Sequence, residues 1–178
     1  LEFRRQIELH ARLCARHLVR PSRVFRNTEL IASNSVAAQV QSLGFRGMLM
    51  EGADHVLRWR SPLLKYRMAT APELIALLKN YRLSDDIAFR FSDRGWTQWP
   101  LTAERFTEWV HHLELENPVS ARGGTPFLGL FMDYETFGEH QWASTGIFEF
   151  LDKLPEAVFD ANPGQNGFLT VSEAAAAH

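Results

Sequence analysis

The chain has 178 residues, of which 46% are hydrophobic and 22% charged, enough for one domain with a substantial core and ordinary for a globular protein. A net charge of −2 and a pI of about 6.4 argue against nucleic acid or an anionic membrane as the principal partner, and no apolar stretch reaches the roughly 18–20 residues that span a bilayer. Cys14 is the single cysteine, which rules out an intramolecular disulfide and leaves no Cys/His zinc pattern.

Residues 1–18 carry the pattern of an amphipathic helix that stops near Arg20-Pro21. Its arginines, from Arg4 onward to Arg26, interleave with apolar residues as a solvated helix face does, and Cys14 reads as a small core or boundary residue. A strand is expected at 23–27. Residues 33–43 read as a helix capped by Ser33 or Asn34 and closed by Gly44. A strand at 46–51 leads into a loop or short helix around 54–60, which Pro62 interrupts. Pro72-Glu73 opens a helix to about Lys79, with proline in its favoured first turn. Residues 87–91 read as a short strand or part of a helical loop, and 92–95 as a turn.

Thr102 caps a helix that runs to about Leu115. A glycine- and proline-containing loop at 117–126 precedes a strand at 127–132, then a helix from about Gln141 to Leu154. Residues 162–167 form a turn, and Leu169-Thr170-Val171-Ser172-Glu173 opens a last helix. Strands alternating with helices imply an α/β fold with a parallel sheet or barrel, and three or four strands are too few to close a barrel. The chain opens on Leu1 without methionine and ends in an alanine-rich stretch, so it reads as a piece of a longer polypeptide. With one cysteine and no visible export signal, a cytoplasmic location is the default expectation.

Two segments end an apolar run abruptly in acid. One is Phe127-Leu128-Gly129-Leu130-Phe131-Met132-Asp133, followed by Tyr134-Glu135-Thr136-Phe137-Gly138-Glu139-His140. The other is Gly47-Met48-Leu49-Met50-Glu51, followed by Gly52-Ala53-Asp54, where glycine leaves room for a sharp turn and a ligand beside Glu51. A weaker strand around Val24-Phe25 leads to Asn27, Thr28 and Glu29. Acids where buried strands emerge sit at the mouth of an α/β sheet or barrel, the usual place for a ligand. The alternative for Asp133 is that it caps the next helix.

These residues carry a family likeness. The chain resembles glycoside hydrolase family 57, the α-amylase-type family with an incomplete (β/α)7 barrel. The likeness rests on Phe25-Arg26-Asn27-Thr28-Glu29-Leu30-Ile31, Met50-Glu51-Gly52-Ala53-Asp54, Trp59-Arg60-Ser61-Pro62, Leu83-Ser84-Asp85-Asp86-Ile87 and the long motif from Met132 to His140, with the tail Phe168 to Glu173 also similar. The resemblance implies part of a TIM-like barrel over residues 1–160 and the start of a following helical region at 161–178. It implies Glu51 as catalytic nucleophile, Asp133 as general acid/base, and a retaining mechanism on α-glucosidic bonds without cofactor or metal. The family's early histidine-containing strand has no match, as expected of a fragment lacking the first part of the catalytic domain.

Retaining glycosidases need two carboxyl groups about 5–5.5 Å apart, one attacking the anomeric carbon and one shuttling the proton. The acids Glu135 and Glu139 follow Asp133 closely, so burial and like charge would favour its protonated form; Arg58 and Arg60 lie near Glu51 in sequence and would keep it ionised. Sugar rings stack on aromatics and their hydroxyls bond to polar side chains. Glu29, Trp59, Arg60, Tyr134, Phe137 and His140 are the candidate substrate contacts, with core packing the alternative for Phe137, support of the barrel rim for Glu29 and a helix-start role for His140. Asp85 and Asp86 read as helix caps or solvated acids, and His111-His112 as surface residues.

Two other readings compete. A metal-dependent hydrolase of the polysaccharide deacetylase type needs an Asp with two His, but only His55 and His140 of the seven histidines lie near strand ends. A glucan-binding homologue that has lost catalysis should lack one of the two carboxylates, and both are present. Within the enzyme reading, hydrolysis and glycosyl transfer by a transferase or branching enzyme share the first step. Oligomeric state and chain-length preference are not fixed by these residues.

Overall fold

The computed structural model describes residues 2–17, 22–116 and 125–177. The helix stop expected near Arg20-Pro21 and most of the 117–126 loop lie outside them. The chain divides into two compact units, one of Leu1–Glu51, Lys65–Leu77 and Leu169–His178, the other of Gly52–Leu64 and Leu78–Phe168.

The first unit is built on a sheet. Strands β1 (Val24–Arg26) and β2 (Gly47–Glu51) pair in parallel, with Val24 opposite Gly47. Strands β3 (Tyr66–Met68) and β4 (Ala71–Lys79) pair antiparallel, with an irregularity between Arg67 and Met68. Among the described residues the sheet has four strands in the order β1-β2-β4-β3, an open α/β sheet. Helix α1 (Glu2–His17) brings Phe3 edge-on to Phe25, and Phe25 in turn meets Phe45. Helix α2 (Asn34–Ser42) starts where Ser33 accepts from the Val36 amide, and Gly44 follows it at φ +88°, in the left-handed region that glycine enters without strain. Ala37 and Val40 of α2 pack on Met48 of β2 and on Ala71 and Leu74 of β4.

The last helix of the chain, α7 (Val171–Ala176), belongs to this unit, and its Ala175 lies against Gly47 of β2. Thr170 and Glu173 close a reciprocal capping box, as the sequence pattern anticipates. Lys65 donates to the carbonyls of Ala174 and Ala177 at the other end, where a cation suits the helix dipole.

Residues 72–79, expected as a helix, are most of β4 instead. Pro72 stands at the second position of the strand, and Leu74, Ala76, Leu77 and Leu78 are all buried. A strand covered on both faces shows an unbroken apolar run rather than alternation, and such a run cannot be told from a buried helix by periodicity. Packing overrides the helix propensity of Ala, Leu and Glu.

The second unit is helical. It holds α3 (Asp54–Leu57), α4 (Tyr81–Asp85), α5 (Ala103–Glu116) and α6 (Ile147–Ala161). The segment 87–91, open between strand and helical loop, continues α4 as a π-helical turn, Asp86–Arg90. Thr102 caps α5 by accepting from the Arg105 amide. Phe106 of α5 meets Phe150 of α6 edge to face at 5.7 Å, and Phe91 meets the same ring at 5.3 Å.

Two expectations here are corrected. Of the strand expected at 127–132, only Gly129 pairs, in a parallel bridge to Lys79. Leu128, Leu130 and Met132 turn onto the helical core, so the segment keeps the period of a strand without its ladder. The helix expected from Gln141 begins only at Ile147, because Gln141 bridges to Phe137 and Gly146 adopts φ +85°. That helix also continues through Pro155 to Ala161, past the end expected near Leu154. Among the described residues no helix is long and apolar enough to cross a membrane.

Candidate active site

In the first unit, Glu51 is the last residue of β2 and is exposed. The strand delivers it outward because Met48 and Leu49 before it are buried. Glu29 stands after β1 in a tight turn, exposed, at φ 51°, and Leu30 follows at φ 54°. Two successive non-glycine residues in the left-handed region are strained, and such strain gathers where a site over-determines the backbone.

In the second unit, two glycines press on the end of β4. Gly52, the residue after Glu51, is so close to the Lys79 carbonyl that a Cβ would overlap its oxygen. Gly129 stands in the same relation to the Leu78 carbonyl, while the Asn80 amide donates to the Gly129 carbonyl at 2.8 Å. The turn after Glu51 and the approach to Asp133 therefore both rest on the last two residues of β4.

Asp133 is exposed and leads into a 3₁₀ turn, Tyr134–Thr136. Its carboxylate does not cap that turn, which removes the capping alternative. The burial anticipated for Asp133 is not found. The loop beyond is tightly closed: the Gln141 amide donates to the Thr136 carbonyl, the Gly138 amide to the Gln141 carbonyl, and the His140 amide to the Glu135 carbonyl. Tyr134, at 95% exposure, offers its whole ring to solvent, and His140 is exposed beside Glu139. Phe137 is half-buried against the helical core. Trp59 is 82% exposed, while Arg60 folds back to donate to the carbonyls of Leu57 and Val56 at the end of α3. The exposed Trp142 donates its indole N–H to the Glu139 carbonyl. No three of His, Cys, Asp and Glu gather into a metal-binding group among the described residues.

The family description "Glycosyl hydrolase family 57" matches residues 1–178. The chain belongs to this family. It is also 45% identical over 154 residues to a protein of Methanocaldococcus jannaschii described as "Putative alpha-amylase", over 86% of this chain and 30% of that protein. The chain thus spans about a third of the length of that curated relative. No solved structure matches.

The family 57 chain carries a further polar cluster that its sequence does not announce. Asp54 Oδ2 accepts from the Tyr81 hydroxyl at 2.8 Å and from Arg82 Nη2 at 3.0 Å, and the Arg82 guanidinium lies over the Tyr81 ring. Asp54 follows the β2 end and Tyr81 follows the β4 end. Reading 74–79 as a strand would have exposed the signal, since Asn80-Tyr81-Arg82 then becomes a strand end like the others. The Tyr81 hydrogen bond, and next the Arg82 one, hold the Asp54 carboxyl below its ordinary value of 3.8. A depressed pKa favours the ionised form in the fold, so this contribution is whole above the ordinary value and is lost as pH falls through the folded-state pKa. Tyr81→Phe is expected to raise the Asp54 pKa toward the ordinary value; an unchanged carboxyl titration by NMR would show that the contact does not persist in solution.

Asp85 and Asp86 are ion-paired rather than caps. Lys79 lies 3.7 Å from Asp85, and Arg90 lies 3.0 Å from Asp86. Burial pushes the Asp86 carboxyl up, against the pull of Arg90.

Proposed function

We propose that the whole protein is a retaining glycoside hydrolase of α-1,4-glucans, with Glu51 as nucleophile and Asp133 as general acid/base. Residues 1–160 form the C-terminal part of an incomplete (β/α)7 barrel, and 161–178 begin a helical region. The observation that supports this best is the seating of two glycines on the end of β4. Glu51 closes a parallel strand, and both Gly52 after it and Gly129 ahead of Asp133 are seated on the end of β4. Membership of the family and the name of the Methanocaldococcus jannaschii relative support the substrate class.

Glu51 attacks the anomeric carbon while Asp133 protonates the leaving oxygen; Asp133 then deprotonates the water that releases the sugar. Asp133 is exposed here, and a glucan bound over it would exclude bulk water from the proton transfer. Trp59 and Tyr134 present aromatic faces to sugar rings; Glu29, Arg60 and His140 bond hydroxyls, and Phe137 supports its loop from the core side. A ring-fluorinated α-maltosyl fluoride tests the reading, because it forms the glycosyl-enzyme quickly and releases it slowly. The expected result is one added glycosyl group on the peptide carrying Glu51. A label on another acid, or an active protein that takes up none, overturns it. Products then separate hydrolysis, which releases reducing ends, from transfer, which rearranges chain lengths.

A further inference from the structure

We propose that Gln141 is a positioning residue that holds Asp133 in register for proton transfer; this rests on the reading of Asp133 as general acid/base. Gln141 is only 2% exposed, and its side-chain amide donates to the Ala88 carbonyl at 2.9 Å. Its own Oε1 is buried and meets no donor among the described residues. A methionine or leucine would fill the same space without stranding a buried polar atom. What such a residue would lose is the bond that the other end of the glutamine makes to the Ala88 carbonyl.

That bond reaches the π-helical turn Asp86–Arg90, a rare geometry that recurs at functional sites. From there a run of hydrogen bonds leads to the acid. The Gln141 amide donates to the Thr136 carbonyl at 2.8 Å, and the Thr136 amide donates to the Asp133 carbonyl at 3.1 Å. Thr136 is itself buried, so neither bond is open to competition from water. The Asp133 backbone is thereby tied through Thr136 and Gln141 to a packed helix, while its side chain stays exposed. Without the Ala88 bond the loop keeps its own closure but loses its fixed height on the helix. A displacement of about 1 Å at a reacting group can cost about 10²-fold in rate.

The test compares two substrates in the whole protein. Malto-oligosaccharides need a proton on the leaving oxygen; α-maltosyl fluoride leaves as fluoride and needs little help. Gln141→Met is expected to lower kcat on malto-oligosaccharides by about 10²-fold with KM little changed, and on the fluoride only a few-fold. Should that variant not fold, Gln141→Leu, which removes the donor to the Ala88 carbonyl without adding an ionisable group, is expected to give the same split. Ile147→Val, a volume change in the adjoining core, lowers thermal stability without separating the substrates. Equal losses on both substrates, or no loss, overturn the assignment. Asp133→Asn must show the split as well. If it does and the Gln141 variants do not, Gln141 is not a positioning residue; if Asp133→Asn shows none, the reading of Asp133 fails and the assignment with it.

Discussion

Glu51→Ala is expected to abolish turnover of malto-oligosaccharides, and azide is expected to restore cleavage of α-maltosyl fluoride as the β-glycosyl azide. In the proposed mechanism the Glu51 carboxylate forms the covalent bond, and loss of a nucleophile costs about 10⁴-fold or more where it has been measured. Alanine also opens a space beside the anomeric carbon that a small anion can enter. Azide then attacks from the side Glu51 occupied, fluoride departs, and the configuration inverts. Asp133→Asn should behave in the opposite way. The glycosyl-enzyme still forms from the fluoride, azide attacks it from the far side, and the product is the α-azide. On glucans, where the leaving oxygen must be protonated, Asp133→Asn is expected to lose about 10²–10⁴-fold. The two azide anomers, read by NMR, assign the two roles separately. The same anomer from both variants would remove one of the assignments.

The parts of this chain that the sequence discloses are those governed by local chemistry. Ser33, Thr102 and the Thr170–Glu173 box announce helix starts because a side-chain oxygen three residues ahead of an amide satisfies it wherever the chain lies. Gly44 announces a helix end because glycine enters the left-handed region without strain. Strand β2 was legible because its apolar run is short, ends in acid and turns at glycine. What the sequence conceals is decided by partners. Residues 72–79 carry helix-forming side chains, yet β2 and β3 lie on either side of them. Leu128, Leu130 and Met132 have the spacing of a strand, and helical neighbours instead of strand neighbours.

The candidate site divides in the same way. Glu51 and Asp133 stand at the ends of apolar runs and could be picked out. Tyr81 and Arg82 are hidden because residues 72–79, which end just before them, carry the pattern of a helix. Gln141 has no signal at all, since a glutamine between a histidine and a tryptophan reads as surface until Ala88 is seen behind it.

Gly129→Ala is expected to destabilise the fold by about 3 kcal/mol or more, although it adds one methyl group and touches no candidate catalytic residue. The methyl would overlap the Leu78 carbonyl oxygen and lie 2.7 Å from the Phe131 ring. The ring can turn aside, but the carbonyl belongs to the backbone of a buried strand end and cannot move without disturbing Leu77 and Leu78. Relief has to come from lifting residue 129 off β4, which breaks the bridge to Lys79 and the bond from the Asn80 amide. Gly52→Ala meets the Lys79 carbonyl in the same manner and is expected to cost a similar amount. Gly44→Ala is the control. Gly44 has open space around the missing Cβ and only its φ of +88° to resist substitution, so about 1–2 kcal/mol is expected there. Urea unfolding of the whole protein measures all three. If Gly129→Ala and Gly52→Ala cost no more than Gly44→Ala, the close seating of both segments on β4 is not a feature of the folded protein. The approach of the chain to Asp133 that depends on it would then need another basis.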